Sequence, residues 1–156
     1  MLEEVGLITC AHCVFNDTNA FRSDAPTRKF PVSVSKRHDV IDLAVLTIDT
    51  SPLKYLSRGQ PSELKVMDHL LVSGYPNYRI GDSARFVPGI VVGFRMKSTV
   101  RRIMTNASIV TGSSGGPVLD QSGKVVGVAV TGSKSFTSAP DTEDHGIIPI
   151  DALDRF

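Results

Sequence analysis

The sequence has no long hydrophobic run and almost no net charge, and each shortage removes a class of protein from consideration. No apolar run approaches the roughly 20 residues that a transmembrane helix needs, so no membrane span is expected. The formal net charge is +1, which gives no indication of a nucleic acid or an anionic membrane surface as partner. The short acidic start Met1–Glu4 does not have the pattern of a secretory signal. We therefore expect a soluble globular chain whose location the sequence does not reveal.

Cysteine is also scarce, since Cys10 and Cys13 are the only two, and they flank His12. Two cysteines do not make a disulfide scaffold, and a bond between these two would close a very tight loop. Free thiols are therefore expected. Thiolates and an imidazole are also zinc ligands, but a structural zinc site uses four ligands, and nothing nearby supplies a second Cys/His pair. We expect no metal site, and no organic cofactor.

Helical periodicity is weak, and short apolar runs rich in Val and Ile are present instead. Clusters of Gly, Pro, Asn, Asp and Ser separate these runs at intervals of about 8–12 residues, which predicts an all-β sandwich or barrel. Asp120–Gly123 is predicted to be a hairpin turn, and Asp151–Phe156 the start of a terminal helix. The polar stretch Asn16–Arg28 predicts a loop, and Ser51–Ser62, with two prolines and a glycine, predicts a linker.

The stretch TGSSGGPVLD contains a serine that could act as a nucleophile. Glycines on both sides of Ser113 and Ser114 allow sharp turns and close approach of a substrate to the backbone. The amides of Gly112 and Ser114 could point at one oxygen atom and form an oxyanion hole. Taken alone, a Gly/Ser run is more typical of a surface turn or a linker.

A histidine and an aspartate lie in segments that could supply a base and its partner. His12 follows the apolar Gly6–Ile8, and a histidine at the end of a strand can serve as general base near neutral pH. Asp42 interrupts an otherwise apolar strand, where a buried carboxylate needs a hydrogen-bond partner such as an imidazole Nδ1–H. The alternatives are a structural or surface histidine and an aspartate that faces water at a strand edge.

In the chain order His12, Asp42, Ser114, these segments resemble the motifs of trypsin-like serine proteases of the chymotrypsin fold. TCAHC resembles their histidine motif, DLAVL their aspartate motif and GSSGGPV their serine motif, with Ser113 at a position where the family often has Asp or Asn. The stretches NASIVTGSSGGPVLDQSGKVVGVAV and HGIIPIDAL are similar to the high-temperature-requirement, or Deg-type, members. The likeness covers nearly the whole chain from Gly6 onwards.

The resemblance implies a serine endopeptidase that acts on a peptide or protein substrate in a cleft between two six-stranded β-barrels. His12 would be the general base, Asp42 its orienting partner and Ser114 the nucleophile, with an oxyanion hole formed by the Gly112 and Ser114 amides. The floor of the specificity pocket would be Ser108, and its wall would include Val130, Thr131 and Gly132. These residues favour small or medium apolar side chains in the substrate.

The resemblance also implies a division into a partial N-terminal barrel (1–55), a linker (56–65) and a C-terminal barrel (66–156). Only eleven residues precede His12. The first barrel is therefore expected to lack its opening strands, which would expose strand edges and reduce the core. This expectation leaves an alternative function, in which the chain is an inactive or truncated relative that binds peptides without cleaving them.

Overall fold

Most of the regular structure in the described part of the chain is β-strand, as the spacing of apolar runs and turns predicts. The computed structural model describes residues 1–50, 53–130 and 146–156. Within these ranges the strands are β1 (Leu7–Thr9), β2 (Asn19–Arg22), β3 (Ala25–His38), β4 (Leu43–Ile48), β5 (His69–Gly74), β6 (Arg85–Lys97), β7 (Val100–Thr105), β8 (Pro117–Leu119), β9 (Val125–Val130) and β10 (Gly146–Pro149). Short 3₁₀ helices cover Ala11–Cys13, Pro61–Glu63 and Ile150–Arg155.

Strands β5 to β10 form a closed antiparallel barrel in the order β10-β7-β6-β5-β8-β9. The hairpin predicted around Asp120–Gly123 joins β8 to β9, and the amide of Gly123 donates to the carbonyl of Asp120 at 3.0 Å. Every residue of β9 is buried, because one face of this strand fills the barrel and the other packs outside it. A Val-rich strand without alternating polar residues is the expected pattern for such burial on both faces.

Strands β1 to β4 form an open antiparallel sheet in the order β1-β4-β3-β2, which we call the small sheet. Its central strand β4 has the sequence LAVLTI, and the first four residues are buried. In the described part of the chain this sheet has four strands and does not close, so the prediction of an incomplete first barrel is confirmed. The predicted start of a terminal helix is confirmed as well, in the form of the 3₁₀ helix Ile150–Arg155.

The prediction of a loop over Asn16–Arg28 is wrong. These residues contain β2 and the first part of β3, which pair as an antiparallel hairpin in which Ala20 lies opposite Phe30. The segment is polar because most of the hairpin is exposed to solvent, and Arg22 binds Asp24 across the turn at 2.6 Å. A strand with both faces partly in water lacks the apolar alternation by which strands are recognised.

The small sheet and the barrel share one apolar cluster. Cys10, Ile41 and Leu43 from the small sheet and its loops pack with Val128 and Ile148 from the barrel. All five side chains are almost completely buried. This shared core fixes the loop before β4 against the loop before β8, and these loops carry Asp42 and Ser114. Helices of the described ranges are all too short or too polar to cross a membrane.

Candidate active site

His12 and Asp42 form a close pair at one end of the small sheet. Nδ1 of His12 lies 2.7 Å from Oδ2 of Asp42, and the backbone N–H of His12 donates to Oδ1 at 2.8 Å. The carboxylate therefore holds both the ring and the backbone of the histidine. With Nδ1–H donated to the carboxylate, Nε2 is left as the atom that can accept a proton.

The backbone around Asp42 is held in a conformation that few residues adopt. Its φ is +70°, in the left-handed region that Asp tolerates better than most side chains. Two backbone hydrogen bonds fix it, one from the Asp42 amide to the His38 carbonyl (2.8 Å) and one from Ala11 to the Asp42 carbonyl (3.1 Å). Because Asp42 is only 7% exposed, its carboxylate needs the two donors that His12 supplies.

Ser114 lies in a pair of tight turns between β7 and β8. The amide of Ser113 donates to Val110 at 2.9 Å, and the amide of Gly116 donates to Ser113 at 3.1 Å. Gly112 and Gly115 occupy the third positions of these turns with φ values of +92° and +88°. A turn with positive φ at its third position requires glycine there, which explains the spacing of the Gly residues around the two serines.

Cys13 contacts both His12 and the loop that carries Ser114 (residues 110–116), which we call the serine loop. Its sulfur lies 3.5 Å from Nε2 of His12 and 3.9 Å from the carbonyl oxygen of Ser114. The neighbouring Gly115 is packed so closely against Thr9 and Cys10 that a side chain at this position would have no room. The structure thus brings His12, Asp42 and the backbone of Ser114 together, from segments that are far apart in the sequence.

The residues predicted to bind substrate fall into two groups. Ser108 is exposed, and it lies between Ala107 and Ile109, whose side chains are anchored in the barrel core. Val130 ends β9 and is buried. Thr131 and Gly132 lie outside the described residues. The role of these four residues in a specificity pocket stays a prediction, as does the convergence of the Gly112 and Ser114 amides on one oxygen.

Arg102 is a buried cation whose charge acts on the site, and the sequence analysis missed it. It lies in β7, is 6% exposed, and interacts electrostatically with Asp42 and Cys10. Burial lowers the pKa of its guanidinium, and its Nε finds no hydrogen-bond partner among the described residues. Its position two residues after the buried Val100 places a charge on an apolar strand face, and this pattern could have marked it.

The two thiols beside His12 differ in acidity. A hydrogen bond from Cys10 lowers the pKa of Cys13 to about 7, and the His12 ring contributes in the same direction. The same hydrogen bond, together with burial, raises the pKa of Cys10. Both residues are free thiols, and Sγ of Cys10 also lies 3.4 Å from the carbonyl oxygen of Ala129.

We expect iodoacetamide to alkylate Cys13 with a rate that rises through an apparent pKa of about 7. The thiolate is the reactive form, so alkylation is slow below this pH and levels off above it, whereas an ordinary thiol levels off above about 8.5. Cys10 is completely buried and is expected to stay unmodified. Mass spectrometry of samples quenched at a series of pH values measures both rates. In Cys10→Ala the midpoint for Cys13 should move upward, and an unchanged midpoint would contradict the assigned cause.

Comparison with known proteins agrees with this architecture. The family described as "Trypsin-like peptidase domain" matches residues 1–128. The chain is similar to Protease Do-like 2 (chloroplastic) of Arabidopsis thaliana, with 28% identity over the whole chain and 26% of that protein. It is also similar to the mitochondrial serine protease HTRA2 of Drosophila grimshawi, with 29% identity over the whole chain and 37% of that protein.

A solved structure supports the same relationship. The structure described as "HtrA-type protease AlgW with decapeptide" matches 97% of this chain and 47% of its own, with a TM-score of 0.76 and 25% identity. The chain spans 26% and 37% of the two relatives above, well under half of their length. The family match nevertheless covers most of the chain and includes all three motif segments. The chain therefore belongs to the trypsin-like peptidase domain family.

Proposed function

We propose that the chain is a serine endopeptidase, with Ser114 as nucleophile, His12 as general base and Asp42 as the residue that orients the base. The observation that carries the proposal is the contact of Asp42 with both Nδ1 and the backbone amide of His12. This contact directs Nε2 to the side on which Cys13 contacts the Ser114 backbone.

The proposed reaction gives each of these residues one role. Ser114 Oγ attacks the peptide carbonyl, and its proton passes to Nε2 of His12. Asp42 stabilises the imidazolium through Nδ1–H, while the amides of Gly112 and Ser114 donate to the oxyanion. His12 then gives the proton to the leaving amine, and water, activated by His12, hydrolyses the acyl-enzyme.

A peptide substrate is supported by the surroundings of the serine loop. Tyr75 and Tyr78 pack edge to face with ring centroids 5.6 Å apart, and with Phe21 of the β2–β3 hairpin they line an exposed groove. The backbone of Tyr75 and Pro76 lies directly beside Gly112. Exposed aromatic side chains next to a reactive loop are typical of peptide recognition. The relative AlgW is described with a decapeptide, which is consistent with this class of ligand.

Specificity and domain division are part of the same proposal. Ser108, Val130, Thr131 and Gly132 would form a pocket without charge, selective for small or medium apolar side chains. The small sheet would correspond to residues 1–55, the linker to 56–65 and the barrel to 66–156.

The test is labelling of the purified chain with a fluorophosphonate, which reacts with an activated serine. We expect about one label per chain in the wild type and none in Ser114→Ala. Ser113→Ala is the matched control, because this adjacent serine is only 7% exposed and should leave labelling unchanged. Mass spectrometry identifies the modified peptide, and circular dichroism verifies that each variant is folded.

If the folded wild type stays unlabelled, the peptidase proposal fails for this chain. A decapeptide library immobilised on beads would then test the alternative, a domain that binds peptides without turnover. If the label is found on Ser113, the assignment of the nucleophile is wrong.

A further inference from the structure

Three side chains that carry metal-binding atoms, one of them the proposed catalytic histidine, lie close together at the site. Sγ of Cys10, Sγ of Cys13 and a ring nitrogen of His12 all lie within 4.8 Å of one another. We infer that these three residues bind a thiophilic divalent cation, with zinc as the best fit, and that the bound cation reversibly blocks the base of the peptidase site.

The distances agree with a tetrahedral site. Zinc binds thiolates at about 2.3 Å and imidazole nitrogen at about 2.0–2.1 Å, so adjacent S and N ligands lie about 3.6 Å apart. Sγ of Cys13 and Nε2 of His12 are separated by 3.5 Å, and thus already have this spacing. Sγ of Cys10 lies within 4.8 Å of Sγ of Cys13 and of a His12 ring nitrogen, so it has to shift toward the cation by about 1 Å at most to reach the same spacing.

The histidine is also held in the form that binds a metal. Asp42 contacts Nδ1 at 2.7 Å, which leaves the lone pair on Nε2, the atom that faces Cys13. A carboxylate that orients a ligating histidine from the other ring nitrogen is a common outer partner in zinc sites. The arrangement that prepares His12 to accept a proton from a serine therefore prepares it equally well to bind zinc.

Three protein ligands indicate an exchangeable cation rather than a structural one. A structural zinc site is usually closed by four protein ligands, whereas sites with three keep one position for water. Cys10 is buried, while His12 and Cys13 are partly exposed, so a cation can enter from the solvent side. A cluster of three ligands, without a fourth among the residues that the structure describes, therefore argues against a structural zinc and is compatible with a reversible one.

Binding of a cation at this place has a consequence for catalysis. A metal on Nε2 occupies the lone pair that would accept the proton of Ser114, so the occupied form cannot act as a base. This consequence rests on the proposed peptidase function, whereas the binding of the cation does not.

The test is titration of the full chain with Co²⁺ under a phosphine reductant that keeps both thiols reduced. We expect a thiolate-to-cobalt charge-transfer absorption that saturates at one equivalent and disappears when Zn²⁺ displaces the cobalt. Cys13→Ser and His12→Ala should each weaken cobalt binding by more than about 100-fold, and Asp42→Asn by about 10–100-fold. The matched control is His69→Ala, an exposed histidine on β5, which should bind cobalt as the wild type does.

The outcomes distinguish a failure of the cation-site proposal from a failure of the peptidase proposal. Ser114→Ala is expected to bind cobalt normally, and Zn²⁺ is expected to slow fluorophosphonate labelling of the wild type until a chelator is added. The absence of the charge-transfer band in reduced, folded protein would overturn the metal site, as would an affinity for cobalt in Cys13→Ser equal to that of the wild type. A band without any labelling would retain the metal site and refute the peptidase.

Discussion

Replacing Asp42 with Asn is expected to lower the rate of reaction at Ser114 by about 10⁴-fold while the chain stays folded. Asn has the same shape as Asp, and its side-chain oxygen can still accept the backbone N–H of His12, as Oδ1 of Asp42 does at 2.8 Å. The amide NH₂ would then face Nδ1 in place of Oδ2. Because NH₂ is a donor, Nδ1 would become the acceptor and the proton would move to Nε2. A histidine protonated at Nε2 cannot accept the proton of Ser114.

The measurement for Asp42→Asn is the second-order rate constant of fluorophosphonate labelling, which needs no knowledge of the natural substrate. Asp39→Asn is the matched control, because Asp39 lies in the same turn but is exposed and forms an ion pair with Arg37. An exposed ion pair contributes little, so this variant should label at nearly the wild-type rate. A loss of less than tenfold in Asp42→Asn would show that the carboxylate does not set the state of His12.

Much of the barrel can be predicted because its strands are buried and the local sequence reflects that burial. The Val-rich β9, the turn Asp120–Gly123 and the start of the terminal helix all appear where the apolar pattern places them. The β2–β3 hairpin does not, since it lies largely in water and its polar side chains carry no alternating pattern. Burial, rather than strand formation itself, is what a single sequence records most clearly.

In the candidate site, too, the sequence indicated which side chain is buried but not which distant residues it contacts. An acid beside an apolar run pointed to Asp42, because a buried carboxylate requires donors. The prediction that Asp42 lies within the strand is wrong, since it occupies the turn directly before β4. Nothing local indicated that Asp42 has positive φ, or that Cys13 lies against Nε2 of His12. The conformation of Asp42 is held by backbone hydrogen bonds with His38 and with the distant Ala11. The position of Cys13 involves a contact with the carbonyl of Ser114, which is distant in the sequence. The number of potential ligands in the sequence argues against a metal site, whereas the cation site proposed above rests on the spacing of three of them in the structure.

Gly115→Ala is expected to lower both the free energy of unfolding and the rate of labelling at Ser114. Part of this effect comes from a steric clash, which can be separated from the strain of a positive φ. Gly115 has a φ of +88° and packs against Thr9 and Cys10 of the small sheet. A methyl group there would push the serine loop away from the segment that carries His12. A misplacement of about 1 Å in a catalytic constellation can cost about 10²-fold in rate, and we expect a loss of at least this size.

Gly123→Ala supplies the matched control for this prediction. Its φ of +77° is similar, but nothing lies within 4 Å of an added methyl group. Both variants therefore carry an alanine in the left-handed region, which costs about 1–2 kcal/mol of folding free energy. Only Gly115→Ala also pushes the serine loop of the barrel away from the small sheet. We expect Gly123→Ala to lower the midpoint of thermal unfolding slightly and to label at the wild-type rate.

Adding Thr9→Ala to Gly115→Ala should restore part of the labelling, because Thr9 makes the closest contact with the added methyl group. Equal labelling in the two glycine variants would mean that the contact between the sheets does not position Ser114.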